Sequence, residues 1–186
     1  MSNEIDYPAL CSYARNFSRL TNEKIELLQR VSSTVQPHVV NITESFYAHL
    51  ATIPKTKPYL EGRLENLKST HAAWVAELFT SQYDENYTRK MFTVGEVHVK
   101  VKLPVEFMAG AVSIIQAELI RLFSQLYKDD PILADLNEAI IAATSFSLLV
   151  MQESFQSSSL AQELEKFLKI TGMSRKLFNN LALAYN

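Results

Sequence analysis

Histidine is scarce, with four in the chain, and one of them falls on an apolar stripe. His98 lies in Met91-Phe92-Thr93-Val94-Gly95-Glu96-Val97-His98-Val99-Lys100-Val101-Lys102-Leu103-Pro104. If the stretch is helical, Met91, Val94 and Val101 share its face, so the imidazole projects from apolar neighbours rather than toward water. An imidazole there needs a partner. It is either a core histidine hydrogen-bonded to a carbonyl, or an axial ligand. In the second case a neutral ring nitrogen binds haem iron and a hydrogen bond holds the other.

Other chemistries fail on spacing. A di-iron bundle needs two Glu-x-x-His pairs, but Val35, Phe46, Lys68 and Gly95 stand three before His38, His49, His71 and His98. The chain has no His-Glu-x-x-His and no Gly-Lys phosphate loop. Cys11 is the only cysteine, so there is no intramolecular disulfide, and without Cys-x-x-Cys-His any haem is held non-covalently.

The chain has 186 residues, enough for one domain with a continuous core. Four glycines and six prolines, with 47% hydrophobic and 20% charged residues, point to long helices in a soluble globular protein. A net charge near −2 gives no basic footprint for nucleic acid. The polar, acidic start is unlike a signal peptide, and the longest uncharged run, Ala139 to Gln152, is short for a membrane span. The expectation is a cytoplasmic protein that binds neither nucleic acid nor membrane.

Helical spacing recurs almost everywhere and no strand alternation interrupts it, so the fold is expected to be all α. An amphipathic segment spans about Tyr7 to Leu20, and Thr21 caps a helix through Ile25, Leu28 and Val31. Pro37 opens a helix carrying Val40, Thr43, Phe46, Tyr47 and Leu50, ended by Pro54 and Pro58. Helices follow over about Leu64 to Phe79, Asp84 to Val101, Pro104 to Tyr127 and Pro131 to Phe155. Gln156-Ser157-Ser158-Ser159 reads as a break, dividing a domain over 1–157 from a helical extension over 158–186 interrupted at Gly172. That extension is either the start of a coupling segment or the end of a single-domain protein.

Val94-Gly95-Glu96-Val97-His98, with Leu103-Pro104 opening the next helix, resembles the proximal-histidine segment of the sensor globins of globin-coupled sensors. Phe46-Tyr47, Leu67-Lys68-Ser69, Trp74 and Tyr83-Asp84-Glu85-Asn86-Tyr87 extend the likeness over roughly residues 20 to 157. The resemblance implies a globin fold with an extra N-terminal helix and a b-type haem with His98 as proximal iron ligand. It further implies a distal Tyr47 able to donate a hydrogen bond to bound oxygen, with Leu67 and Thr70 beside it; Ser69 and Thr70 exchange roles on a one-residue shift. Phe46, Leu64, Trp74, Met91, Val94, Val101 and Leu103 would complete the haem pocket. His71 shares a face with Leu64, Leu67, Thr70 and Trp74, and is a rival distal group or ligand; if it reached the iron, a bis-histidine centre would slow gas binding. His38 and His49 are expected to be solvated. Lys102 departs from the glycine usual in relatives, which could tilt His98.

A sensor of oxygen, carbon monoxide or nitric oxide, or of redox state, is therefore the first expectation, with signalling to an output domain or partner and no enzymatic activity. A haem-free interaction or scaffold module on the same fold is the alternative. Both long helices after Pro104 look too apolar for one face: Phe107, Met108, Val112, Ile115, Leu119 and Leu122, then Ile140, Ile141, Phe146, Leu148, Leu149 and Met151. Pairing of helices 104–127 and 131–155 in a homodimer would bury the surplus.

Overall fold

A computed structural model describes residues 5–184, and every regular element among them is helical. Helices α1 (Tyr7–Ser18) and α2 (Asn22–Arg30) are followed by α3 (Ser32–Val35), a 3-10 turn at Gln36–His38 and α4 (Val39–Thr52). After α5 (Lys57–Leu60) come α6 (Leu64–Glu77), α7 (Glu85–Lys100), α8 (Val105–Leu126), α9 (Ile132–Thr171) and α10 (Arg175–Ala184).

The starts follow local chemistry. Asp6, Thr21 and Asp84 accept the backbone N–H groups of Ala9, Lys24 and Tyr87, so a short oxygen-bearing side chain satisfies an otherwise orphaned donor each time. Asp130 likewise accepts the Ile132 N–H at 3.0 Å, after Pro131 has set the entry angle of α9. Along α4 the buried face is Val39, Ile42, Thr43, Phe46 and Tyr47, whereas Val40, expected on that face, is exposed.

Helix α9 is the spine, in contact with α1, α2, α7 and α8, while α4 packs on α6 and α8. The helices bearing His71 (α6) and His98 (α7) share no extended backbone packing.

Two expectations are corrected. The Ser157–Ser159 stretch does not break the chain: α9 runs unbroken for 40 residues and ends at Gly172, at φ 69. Serine is tolerable in a helix interior, whereas no glycine or proline occurs in α9. The surplus apolar surface is also smaller than the sequence suggests. Met108, Val112, Ile115, Leu119, Leu122, Ile140, Phe146 and Met151 are buried within one chain, because α8 and α9 pack on each other and on α4 and α7. Ile141 is exposed, and Phe107, Leu148 and Leu149 are partly so.

Each of α8 and α9 contains an 18-residue window of mean hydropathy 1.4, long and apolar enough to cross a membrane. The charge-free run Ala139 to Gln152 understated this, since a few charges are compatible with such a window. In this fold the windows carry core residues such as Ile115, Leu119, Ile140 and Val150.

Candidate metal centre

His98 is held by devices at both ends of α7 and in its middle. At the start, Tyr83 at φ 50 donates its phenol O–H to the Leu78 carbonyl at 2.6 Å, and Asp84 then caps the helix. One turn before His98, a Cβ at Gly95 would lie 2.4 Å from the Met151 carbonyl oxygen and 2.7 Å from Ser154 Cβ. Only glycine lets α7 approach α9 that closely. Ser154 Oγ donates to the Phe92 carbonyl at 2.5 Å in the same crossing. Tyr87 Oη lies 2.8 Å from Ser147 Oγ, a second buried tie between the two helices.

At the far end the Leu103 N–H reaches back to the His98 carbonyl at 2.9 Å and the Lys102 N–H to Val99 at 3.0 Å. This paired arrangement needs a left-handed residue, and Lys102 takes it at φ 56. Lys102 thus adopts the conformation that glycine prefers, so the departure strains the turn without abolishing it. The Tyr59 phenol donates to the Lys102 carbonyl at 3.1 Å.

Opposite α7, Phe46 and Tyr47 of α4 meet His71 of α6 at ring-centroid distances of 4.8 and 5.4 Å, and His71 lies 5.7 Å from Trp74. Burial and, secondarily, the nearby His98 lower the basicity of His71 to a pKa of about 4. Burial also lowers that of His98 and raises the Tyr47 phenol well above its ordinary value. Both imidazoles are therefore neutral near pH 7, as ligation requires.

Their Nδ1 atoms have no solvent access and no hydrogen-bond partner among the described residues. That removes the ordinary account of His98 as a core histidine satisfied by a carbonyl. An orphaned buried polar atom costs about 1–3 kcal/mol, so two within one cluster are unlike a finished core. The Trp74 indole N–H is near the Tyr87 phenol but falls outside hydrogen-bond geometry.

The expected site residues divide. Phe46, Tyr47 and Met91 are buried, and Leu64, Leu67, Trp74, Val94 and Leu103 pack partly buried against the same core. Two lie outside this cluster. Thr70 is exposed and its hydroxyl donates to its own helix, at the Asn66 carbonyl 2.8 Å away, so the structure brings His71 rather than Thr70 to Tyr47; Ser69 is exposed as well. Val101 is 38% exposed, because α7 ends at Lys100 and the chain turns away there. His49 is exposed and His38 half-buried. Sequence reasoning passed over Ser154, Ser147 and the packing role of Gly95, whose contacts between α7 and α9 join residues more than fifty apart.

No three His, Cys, Asp or Glu side chains gather into a cage among the described residues. Haem asks less of a protein, since the porphyrin supplies the equatorial nitrogens and the chain need add only an axial imidazole and apolar walls. His98 and the Phe46, Leu67, Trp74, Met91 and Val94 side chains fit that requirement.

The protoglobin family model matches residues 8–161. Among solved structures, the globin domain of a Geobacter sulfurreducens globin-coupled sensor is similar, with 25% identity and a TM-score of 0.72 over 77% of this chain and 96% of that one. The ferric globin domain of Escherichia coli DosC shares the fold, with 17% identity and a TM-score of 0.68 over 78% of this chain and 99% of that one. With its all-α globin architecture and a matching segment that takes in α4, α6 and α7 whole, the chain belongs to the protoglobin family.

Proposed function

We propose that the chain is a b-type haem domain that binds a diatomic gas reversibly and reports occupancy or redox state to a partner. The observation that carries this reading is the buried His98 Nδ1 without a hydrogen-bond partner, on a helix fixed by Gly95 and the turn at Lys102. Haem bound there supplies an iron able to take oxygen, carbon monoxide or nitric oxide. His98 would hold that iron through a ring nitrogen. Phe46, Leu64, Leu67, Trp74, Met91, Val94 and Leu103 exclude water. The Tyr47 phenol, buried and kept protonated, is the donor toward a polar ligand.

The sensor role is supported by the similar Geobacter domain being part of a globin-coupled sensor. We assign the chain a binding role rather than a catalytic one, in the cytoplasm, with its segment beyond residue 157 as the coupling element. A homodimer through α8 and α9 would use the apolar surface left open, centred on Ile141, Leu148 and Leu149. Sedimentation of the purified chain reads that directly: dimer mass is expected, and a monomer with and without gas would remove this signalling route. An absorption spectrum tests the main reading. An intense Soret band that shifts reversibly under carbon monoxide is expected; a colourless protein that refuses added haemin would return the haem-free interaction module.

A further inference from the structure

We infer that α7 works as a lever pivoted at Gly95, with the N-terminal helix α1 holding one arm and His98 on the other, so that Tyr7 and Arg89 are positioning residues for the iron ligand. This rests on the haem reading above and adds what sets the place of that ligand.

Gly95 is where α7 comes closest to the α9 backbone, since a Cβ there would meet the Met151 carbonyl oxygen at 2.4 Å. Phe92 and His98 stand three residues on either side of it. At a rise of about 1.5 Å per residue each arm is about 4.5 Å long, so a tilt about the crossing moves the two residues by similar amounts in opposite senses.

The upstream arm is clamped by α1, which packs on both α7 and α9. The Tyr7 ring of α1 meets Phe92 edge-on with centroids 5.5 Å apart, and the Arg89 guanidinium lies 4.0 Å from the Tyr7 centroid. Glu85, one turn earlier on α7, accepts from Arg89 Nε at 3.1 Å and so holds the guanidinium over the ring. Phe92 is gripped twice, by its ring from α1 and by its carbonyl from Ser154 of α9. A further contact lies at the entrance to α7, where Cys11 of α1 donates its thiol to the carbonyl of the left-handed Tyr83 at 3.4 Å.

The downstream arm is held more lightly. Val97 and Val101 are exposed, Val99 is buried, and beyond it the Tyr59 phenol reaches the Lys102 carbonyl. His98 Nδ1 has no partner among the described residues, so its ring position follows the backbone of α7. Loosening α1 frees the upstream arm and shifts the imidazole with it. Because coupling between two sites is reciprocal, a displacement of His98 acts back on the docking of α1.

The experiment uses the full chain reconstituted with haemin, as wild type, Tyr7→Phe, Tyr7→Leu and Arg89→Gln, with circular dichroism confirming that each remains helical. Two readings are taken: the iron–histidine stretching band in resonance Raman immediately after photolysis of the carbon monoxide complex, and the rate at which a maleimide labels Cys11, the single cysteine. Tyr7→Phe keeps the ring and should match wild type in both. Tyr7→Leu should shift the band and speed labelling by roughly fivefold or more, as the loss of one cation–π contact and one aromatic pair implies. Arg89→Gln, at an exposed position, should move both readings the same way by less, and it carries the test if Tyr7→Leu does not fold. Faster labelling with an unshifted band would mean that α1 has loosened without moving His98, and overturns the lever. Unchanged labelling overturns it as well, as does a Tyr7→Phe protein as perturbed as Tyr7→Leu. Each of these results is read on haem-loaded protein and leaves the haem reading standing, whereas a wild type that takes up no haemin overturns both.

Discussion

Gly95→Ala is the substitution whose sign discriminates most sharply. In an exposed helix interior the change from glycine to alanine stabilises by up to about 1 kcal/mol, through helix propensity and a less flexible unfolded chain. At Gly95 the new methyl would stand 2.4 Å from the Met151 carbonyl oxygen, where ordinary contact begins at 3.4 Å, so α7 must retreat from α9 by about 1 Å. Overpacking of this kind costs about 1–3 kcal/mol, and a carbonyl within a long helix cannot rotate aside. The Ser154–Phe92 hydrogen bond in the same crossing would stretch, at about 0.5–1.5 kcal/mol. After subtracting the propensity gain, the expected net loss is about 2 kcal/mol. Gly110 on α8 is the control, since a Cβ there meets nothing within 4 Å. Urea unfolding of the haem-free protein is the assay, because a bound cofactor would add its own stabilisation. Gly110→Ala should raise the midpoint and Gly95→Ala should lower it. Equal responses at the two glycines would refute the close crossing that positions His98.

Lys102→Gly relieves a left-handed lysine while keeping the backbone carbonyl that Tyr59 binds, so the protein should gain about 1 kcal/mol in the same assay; no gain would mean the turn is unstrained. Tyr47→Phe removes one donor and keeps the ring, so oxygen dissociation should accelerate by about tenfold to a hundredfold, from a loss of roughly 1–3 kcal/mol, with carbon monoxide changing less. An unchanged oxygen off-rate would take Tyr47 out of the mechanism. Burial raises the phenols of Tyr83 and Tyr87 above their ordinary value of 10.0, so the stability they carry is complete below pH 10 and is lost as pH rises beyond it. Phenolate absorbance should show these two ionising only together with alkaline unfolding, and ionisation in the folded protein would contradict their burial.

Much of the site was legible because it is local. The stripe around His98, the cap at Asp84, the proline before α8 and the aromatic pair Phe46-Tyr47 are all written in neighbouring residues. The failures have long-range causes. Gly95 could be read as part of a motif, but its contact with Met151 cannot be seen from spacing. Thr70 and His71 are adjacent on one helix, and only the packing of α6 on α4, which sets His71 against Phe46 and Tyr47, shows which of them turns inward. The serine run read as a break because its composition suits loops, yet serine alone does not interrupt a helix, and α9 ends only at Gly172. The apolar excess on α8 and α9 was counted without knowing that each helix packs against several others; most of it is core.

Haemin titration of the haem-free chain beside its His98→Ala variant tests the central claim most directly. Wild type should take up one haem per chain with a sharp Soret band, and His98→Ala should lose most of that uptake while His38→Ala and His49→Ala retain it, because those rings lie outside the cluster. A His98→Ala protein that binds haemin with the wild-type affinity and spectrum would contradict the assignment of His98 as the axial ligand.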